Sequence, residues 1–254
     1  MFSLDTLDLA RLQFASTLLF HIIFLALSIG LSTYLAFLRC MAAWKGDAVY
    51  MALYHYWLPH FTANYGAGVV SGVVMAFELG LNWQGFTRAA GGINGVLLSY
   101  EVVTAFFLEA TFFGLMIFGE GKIGTRMHCF SAIMVAVGAY LSSFWILASN
   151  SWMQTPAGYG RDGSTFIPVD WFQVIFSPSS IYRLVHMSLA AMIATAFVVA
   201  AIAAWHLLKD RTDPVSRKML SMALWMLTFV VPLQIAAGDL HGLNTLENQP
   251  VKVA

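Results

Sequence analysis

Ser99–Phe118 reads SYEVVTAFFLEATFFGLMIF, an apolar run that nevertheless holds two carboxylates, Glu101 and Glu109. At ~1.5 Å per residue such a run crosses ~30 Å of hydrocarbon as one helix. An acid inside it costs ~2.5–3.5 kcal/mol on insertion scales, and therefore marks a functional site by default. In a regular helix the two groups stand ~12 Å apart along the axis and within ~80° around it, on one broad face at two depths. They read as a proton relay or cofactor-facing pair among partner helices, the alternative being structural carboxylates bonded to a neighbouring Ser or Arg. No Lys or Arg lies within the stretch. Each acid must then be protonated, compensated by a cation from elsewhere, or close to water.

The rest of the chain agrees with a bilayer setting. Of 254 residues 59% are hydrophobic and 10% charged, and mean hydropathy is +0.73, which an ordinary soluble domain does not reach. Lys plus Arg balances Asp plus Glu at 13 each, so no net field points to nucleic acid. Cys40 and Cys129 are the only cysteines, too few for a multi-bridge disulfide framework, and with no CxxC there is no zinc or covalent-heme motif. The opening MFSLDTLDLA carries Asp5 and Asp8 where a signal peptide is basic, so the first helix is expected to be retained.

Apolar stretches at roughly 12–37, 60–80, 97–118, 129–148, 184–208 and 219–237 predict an all-α, polytopic membrane protein with a bundle of about six transmembrane helices. No strand alternation stands out. With the N-terminus outside, the inner side receives Arg39, Lys45, Lys122, Arg126, Lys209, Arg211, Arg217 and Lys218, against Arg11, Arg88, Arg161, Arg183 and Lys252 outside. That bias favours N-terminus out. The outer connection between Asn150 and Arg183 reads as a structured loop, with Trp152 and Trp171 as interfacial anchors.

This topology gathers His21, His186, Glu101 and, somewhat deeper, Glu109 in one leaflet. A neutral imidazole in an apolar site suits axial ligation of heme iron. Arg183, one turn before His186, is placed to pair with a heme propionate. Either histidine alone reads first as a partner-helix hydrogen bond, and only the two together, in one leaflet with two acids, bring the heme reading level with it. His128 and His206 read as interfacial, His55 and His60 as lying at the entrance to the second helix. Asp239 and His241 mark a polar exit from the last one. Ser142, Ser143 and Asn150 are polar enough to bond a buried acid. Gly66, Gly68, Ser71 and Gly72 read as packing residues.

RLQFASTLLFH, SYEVVTAFFLEATFFGL, LSSFWILASNSWMQTP and YRLVHM together resemble subunit I of the cytochrome bd-type quinol oxidases, across essentially the whole chain. GDLHGLNTLENQPVK is similar to the cyanide-insensitive branch. The resemblance implies a quinol:oxygen oxidoreductase of a bacterial inner membrane, oxidising quinol at the outer face and reducing oxygen to water. It implies heme b in low-spin and high-spin forms, with heme d or a further heme b. Its partners would be a subunit II, small single-helix subunits, quinol, oxygen and the lipid bilayer. Carried over by position, His21 matches a high-spin heme ligand and His186 the low-spin heme b ligand. Glu101 and Glu109 match acids on the heme and proton pathway, Ser142 a polar neighbour of it, and Lys252 a basic residue at the start of the quinol-binding loop. The implied organisation is a six-helix heme-binding domain over 1–238 and the start of the quinol loop over 239–254. The family's later Met and Glu heme ligands and its Gly-Arg-Gln-Pro-Trp stretch have no counterpart before Ala254, so the chain is expected to be a piece of a longer one, the alternatives being that the rest is a separate chain or that this is a truncated relative unable to assemble all three hemes. A heme b electron carrier without oxygen chemistry and a proton-coupled transporter using Glu101 and Glu109 are the rival expectations.

Overall fold

The computed structural model describes residues 5–253. Met1–Leu4, which open the first segment, and Ala254, which closes the expected quinol loop, lie outside them.

Among the described residues, six helical segments are long and apolar enough to cross a membrane. Helix α1 is Thr6–Lys45, α2 is Ala48–Leu81, and α3 is Gln84–Glu101, which continues through a wide turn, Val102–Phe106, into α4, Phe107–Phe118. Then come α5 (Thr125–Gln154), the short α6 (Trp171–Ile175), α7 (Ser180–Lys209) and α8 (Pro214–Asn248). Each helix is longer than its apolar stretch, because polar residues at its ends carry it on past the hydrocarbon. The first turn between helices shows how ends are set. Gly46 closes α1 at φ +66°, where a side chain would be strained, and the Asp47 carboxylate caps α2 by accepting from Val49 N at 2.9 Å.

The last helix does not stop near Ala237. It runs to Asn248 and is followed by a 3₁₀ turn, Pro250–Lys252, so residues 239–248, expected in the loop, are its final turns. No proline interrupts the segment before Pro250, and Asn244 Nδ2 ties it to Pro178 O at 3.1 Å.

The connection after α5 carries two short antiparallel strands, β1 (Tyr159–Asp162) and β2 (Thr165–Pro168). The joining turn has Gly163 at φ +56°, the positive φ that its first position demands. Trp152, expected at the interface, is instead buried under this hairpin against Tyr159 and Phe166, with its Nε1 donating to Ala157 O at 3.1 Å. An indole whose N–H finds a local carbonyl has no need of the interface.

Helix α1 is the hub: it packs on α2, α5 and α7, while α5 also packs on α4 and α3. In lipid, helices associate by close packing rather than by hiding apolar area from water. Gly30 is such a contact, since a Cβ there would sit 2.0 Å from Thr195 Oγ1. The largest buried cluster, with Leu35, Leu38, Leu53, Tyr54, Trp57 and Phe61, fills the half of the bundle remote from the N-terminus. His128, expected at an interface, is buried there. Its Nδ1 accepts from Arg39 Nε at 2.7 Å, and its Nε2 donates to Met116 O at 3.0 Å. Both ring nitrogens are satisfied, which removes the need for water.

Candidate functional site

A row of polar pairs runs down the seam between α1 and α2. Asn82 meets Gln13, Thr17 donates to Glu78 Oε1 at 2.8 Å, His21 Nδ1 lies 3.0 Å from Ser71 Oγ, and Asn64 donates to Ser28 Oγ at 2.8 Å. The Ser71 hydroxyl points its hydrogen at the backbone oxygens of Ala67 and Gly68, 2.8 and 3.0 Å away. A serine has one hydrogen to give, so toward His21 its oxygen accepts. With the hydroxyl spent on those carbonyls, the matching tautomer of His21 carries its proton on Nδ1 and leaves the Nε2 lone pair free. Gly72 makes room for this ring, since a Cβ there would stand 3.2 Å from His21 Cε1.

Across from His21, the wide turn at Val102–Phe106 bonds Phe107 N to Val102 O, five residues back. Such a turn inserts one residue without advancing the helical phase. The eight positions from Glu101 to Glu109 then rotate as about seven, which narrows their angular offset from ~80° to ~20°. Trp145 of α5 pins the turn, stacking on Tyr100 and donating its Nε1 to Thr104 Oγ1 at 2.9 Å.

The result is one cavity of about 340 Å³, lined by His21, Glu101, Glu109, Ser142, Tyr65 and apolar side chains. Ser142 donates to Glu101 Oε1 at 2.7 Å. Glu109 is 7% exposed and forms no hydrogen bond or ion pair among the described residues. That volume lies at the lower end of the ~300–1,000 Å³ range of small-molecule sites.

His186 belongs to a second cluster, between α7 and α8. Gln234 Nε2 lies 3.3 Å from its Nδ1, the His241 ring is 5.4 Å away, and a Cβ on Gly238 would come within 3.6 Å of its Cε1. Gln234 Oε1 and His241 Nε2 are buried without a partner among the described residues. Orphaned polar atoms around one imidazole fit a site built for a further group. Arg183 Nη1 donates to Asn150 Oδ1 at 3.1 Å and its Nε to Ser179 Oγ at 3.2 Å, holding the guanidinium one turn from His186. Lys252 Nζ contacts Gln154 Oε1, while Asp239 points outward from α8 and joins neither cluster.

The structure thus brings His21, Glu101, Glu109 and Ser142 together, and groups His186 with Arg183. Sequence reasoning missed Ser71 and Gly72 as supports of His21, and Gln234 as a neighbour of His186. It also missed Glu78, 4% exposed, with Oε2 unpartnered. The signal for Glu78 was the one applied to Glu101: an acid inside the apolar run VVMAFELGL. For Gln234 it was the spacing of Gln234, Gly238 and His241 on one face of α8.

Residues 9–254 match the model of the family described as "Cytochrome bd terminal oxidase subunit I". The chain is 34% identical over 252 residues to the cytochrome bd-II ubiquinol oxidase subunit 1 of Escherichia coli strain K12, covering 98% of this chain and 49% of that one. It is 33% identical over 252 residues to the cytochrome bd ubiquinol oxidase subunit 1 of Bacillus subtilis strain 168, covering 99% and 54%. The solved structure of bd oxidase from Geobacillus thermodenitrificans superposes with a TM-score of 0.92 at 29% identity, over 98% of this chain and 58% of that chain. The chain spans about half the length of the curated relatives it matches.

Proposed function

Because the chain belongs to the family of cytochrome bd terminal oxidase subunit I, we propose that it forms the heme-bearing helical half of a quinol:oxygen oxidoreductase in a bacterial membrane. The observation that carries this reading is the shared cavity, where His21 faces the buried carboxyl of Glu109 and the half-buried carboxyl of Glu101.

His21 is the residue that would hold a high-spin heme there, and His186 the one that would hold a low-spin heme b, with heme d or a further heme b completing the set. When bound, heme supplies the redox centre that passes electrons from quinol to oxygen. The chain's own groups do the rest. The bond from His21 Nδ1–H to Ser71 fixes the tautomer and aims Nε2 at the cavity. Glu101, oriented by the Ser142 hydroxyl, and Glu109, on the same side of the helix, hold protons in an apolar wall and hand them toward that space. Arg183, tied to Asn150, presents positive charge beside His186 for an acidic cofactor substituent. Lys252, with Asp239 farther along the same face of the membrane, would receive the quinol head group at the outer side, with the N-terminus outside. A subunit II and small single-helix subunits would cover the apolar faces.

The test uses the full chain with its partner subunits, purified in detergent. Visible spectra should show low-spin and high-spin heme features, and quinol should drive oxygen uptake. A preparation without a Soret band would overturn the proposal, and low-spin heme alone would reduce it to an electron carrier.

A further inference from the structure

At the end of the bundle remote from the N-terminus, Cys40 of α1 and Cys129 of α5 face each other. Cys129 Sγ lies 3.6 Å from the carbonyl oxygen of Arg39, the atom that opens the peptide bond to Cys40. Standard peptide geometry puts that oxygen about 2.8 Å from the next Cα, so Cys129 Sγ is at most about 6.4 Å from Cys40 Cα. The two thiols are near enough to interact directly. The Cα atoms of the two cysteines are then at most about 9 Å apart, a range that includes the ~4.4–6.8 Å a disulfide spans.

The approach is held by the chain neighbours of both cysteines. Arg39, next to Cys40, donates its Nε to Nδ1 of His128, next to Cys129, at 2.7 Å, and His128 Nε2 donates to Met116 O at 3.0 Å. These three residues are buried at 8%, 1% and 1% exposure, whereas both cysteines are only half-buried. A buried clamp therefore holds a pair of half-buried cysteines side by side. The thiols line neither the His21 cavity nor the His186 cluster.

We propose that Cys40 and Cys129 form a reversible disulfide that staples α1 to α5 when the cell meets a two-electron oxidant such as hydrogen peroxide. One thiol attacks the peroxide, giving a sulfenic acid and water. The second thiol displaces the sulfenic hydroxyl as a second water and closes the S–S bond. In sum, two thiols and one peroxide give one disulfide and two waters, the two sulfurs losing the electrons that the peroxide gains. A cellular dithiol reverses the step.

The experiment treats native membranes carrying the full chain with hydrogen peroxide, alkylates the remaining thiols with N-ethylmaleimide, and maps peptides by mass spectrometry. The expected result is loss of both alkylatable thiols together and a cross-linked Cys40–Cys129 peptide two hydrogens lighter than its parts, absent after dithiothreitol. Cys40→Ser should leave Cys129 alkylatable after the same treatment, and Cys129→Ser should leave Cys40 so. Full alkylation of both thiols in the peroxide-treated wild type, or sulfinic acid on either without a cross-link, would overturn the proposal.

Discussion

Gly138 of α5 lies directly against Glu109: a Cβ at Gly138 would stand 2.9 Å from Glu109 Cβ and 3.2 Å from its Cα. The obstacle is partly backbone, so no rotamer change relieves it. Gly138→Ala is expected to push α4 from α5, costing about 1–3 kcal/mol of overpacking and moving Glu109 off the cavity. Thermal unfolding in detergent should fall by a few degrees, with turnover falling alongside it. An unchanged melting point would mean that the helices slide past the methyl freely.

Ser71→Ala removes the acceptor that holds the proton of His21 on Nδ1. Losing an orienting partner of this kind typically lowers metal affinity or activity about 10–100-fold. The high-spin heme content of the purified complex should drop accordingly, with the low-spin signal kept. Full high-spin occupancy in this variant would show that the seam positions His21 without Ser71.

Glu101→Gln and Glu109→Gln keep shape and lose the transferable proton. If the pair passes protons to the cavity, oxygen reduction should slow by about 10²-fold or more, with high-spin features disturbed more than low-spin ones. Carboxyl infrared bands that change on reduction should vanish in the matching variant. Normal turnover in both would make the pair structural. Ser142→Ala, which frees Glu101 Oε1, should give a smaller loss of the same kind.

His186→Ala should abolish the low-spin heme b band while leaving an inserted protein. Gln234→Leu, which takes the amide away from that ring, should shift the midpoint potential of the low-spin centre with the band retained. A surviving low-spin spectrum in the first variant would sink the ligand assignment.

The start of α8 gives a pH-dependent outcome away from the membrane. The Asp213 carboxylate accepts from the Ser216 hydroxyl and from the backbone N–H of Val215 and Ser216, and these bonds hold its pKa below the ordinary carboxylate range. A depressed folded-state pKa stabilises the fold above the unfolded value of about 3.9, and that contribution is lost as pH falls through the folded value. Asp213→Ala removes an N-cap worth about 1 kcal/mol. Its effect on melting temperature should be full at pH 7 and shrink below about pH 4. An equal effect at pH 7 and pH 3 would count against the cap.

Much of this arrangement is legible in the sequence because lipid enforces it. Six apolar runs have to be helices, and the acids inside SYEVVTAFFLEATFFGLMIF have to be sheltered. That His21 and both glutamates belong to one leaflet follows from counting positions. That they share one cavity does not, because it depends on a wide turn that hydropathy and propensity leave invisible. The seam partners were hidden for a different reason. Ser71 and Gly72 are small residues whose packing role in membranes is generic, and only the ring of His21 against them gives them a task. Trp152 was misplaced because aromatic residues near helix ends are usually interfacial, whereas here a two-stranded hairpin covers one. The end of α8 was drawn at the edge of the apolar stretch, although a helix continues into water as long as its carbonyls find donors.

The wide turn between Glu101 and Glu109 has a consequence for sequence comparison. A turn of this type is a one-residue insertion that leaves the phase of the flanking helix untouched. Deleting one residue from 102–106 would restore regular helix and keep both carboxylates on the same side, shortening their axial spacing by only ~1.5 Å. A motif search demanding eight positions between the acids therefore ties a shared chemistry to a dispensable residue. Homologues with seven positions between two buried glutamates should be aligned with a gap inside the turn, and the gap should be counted as conservation of the site.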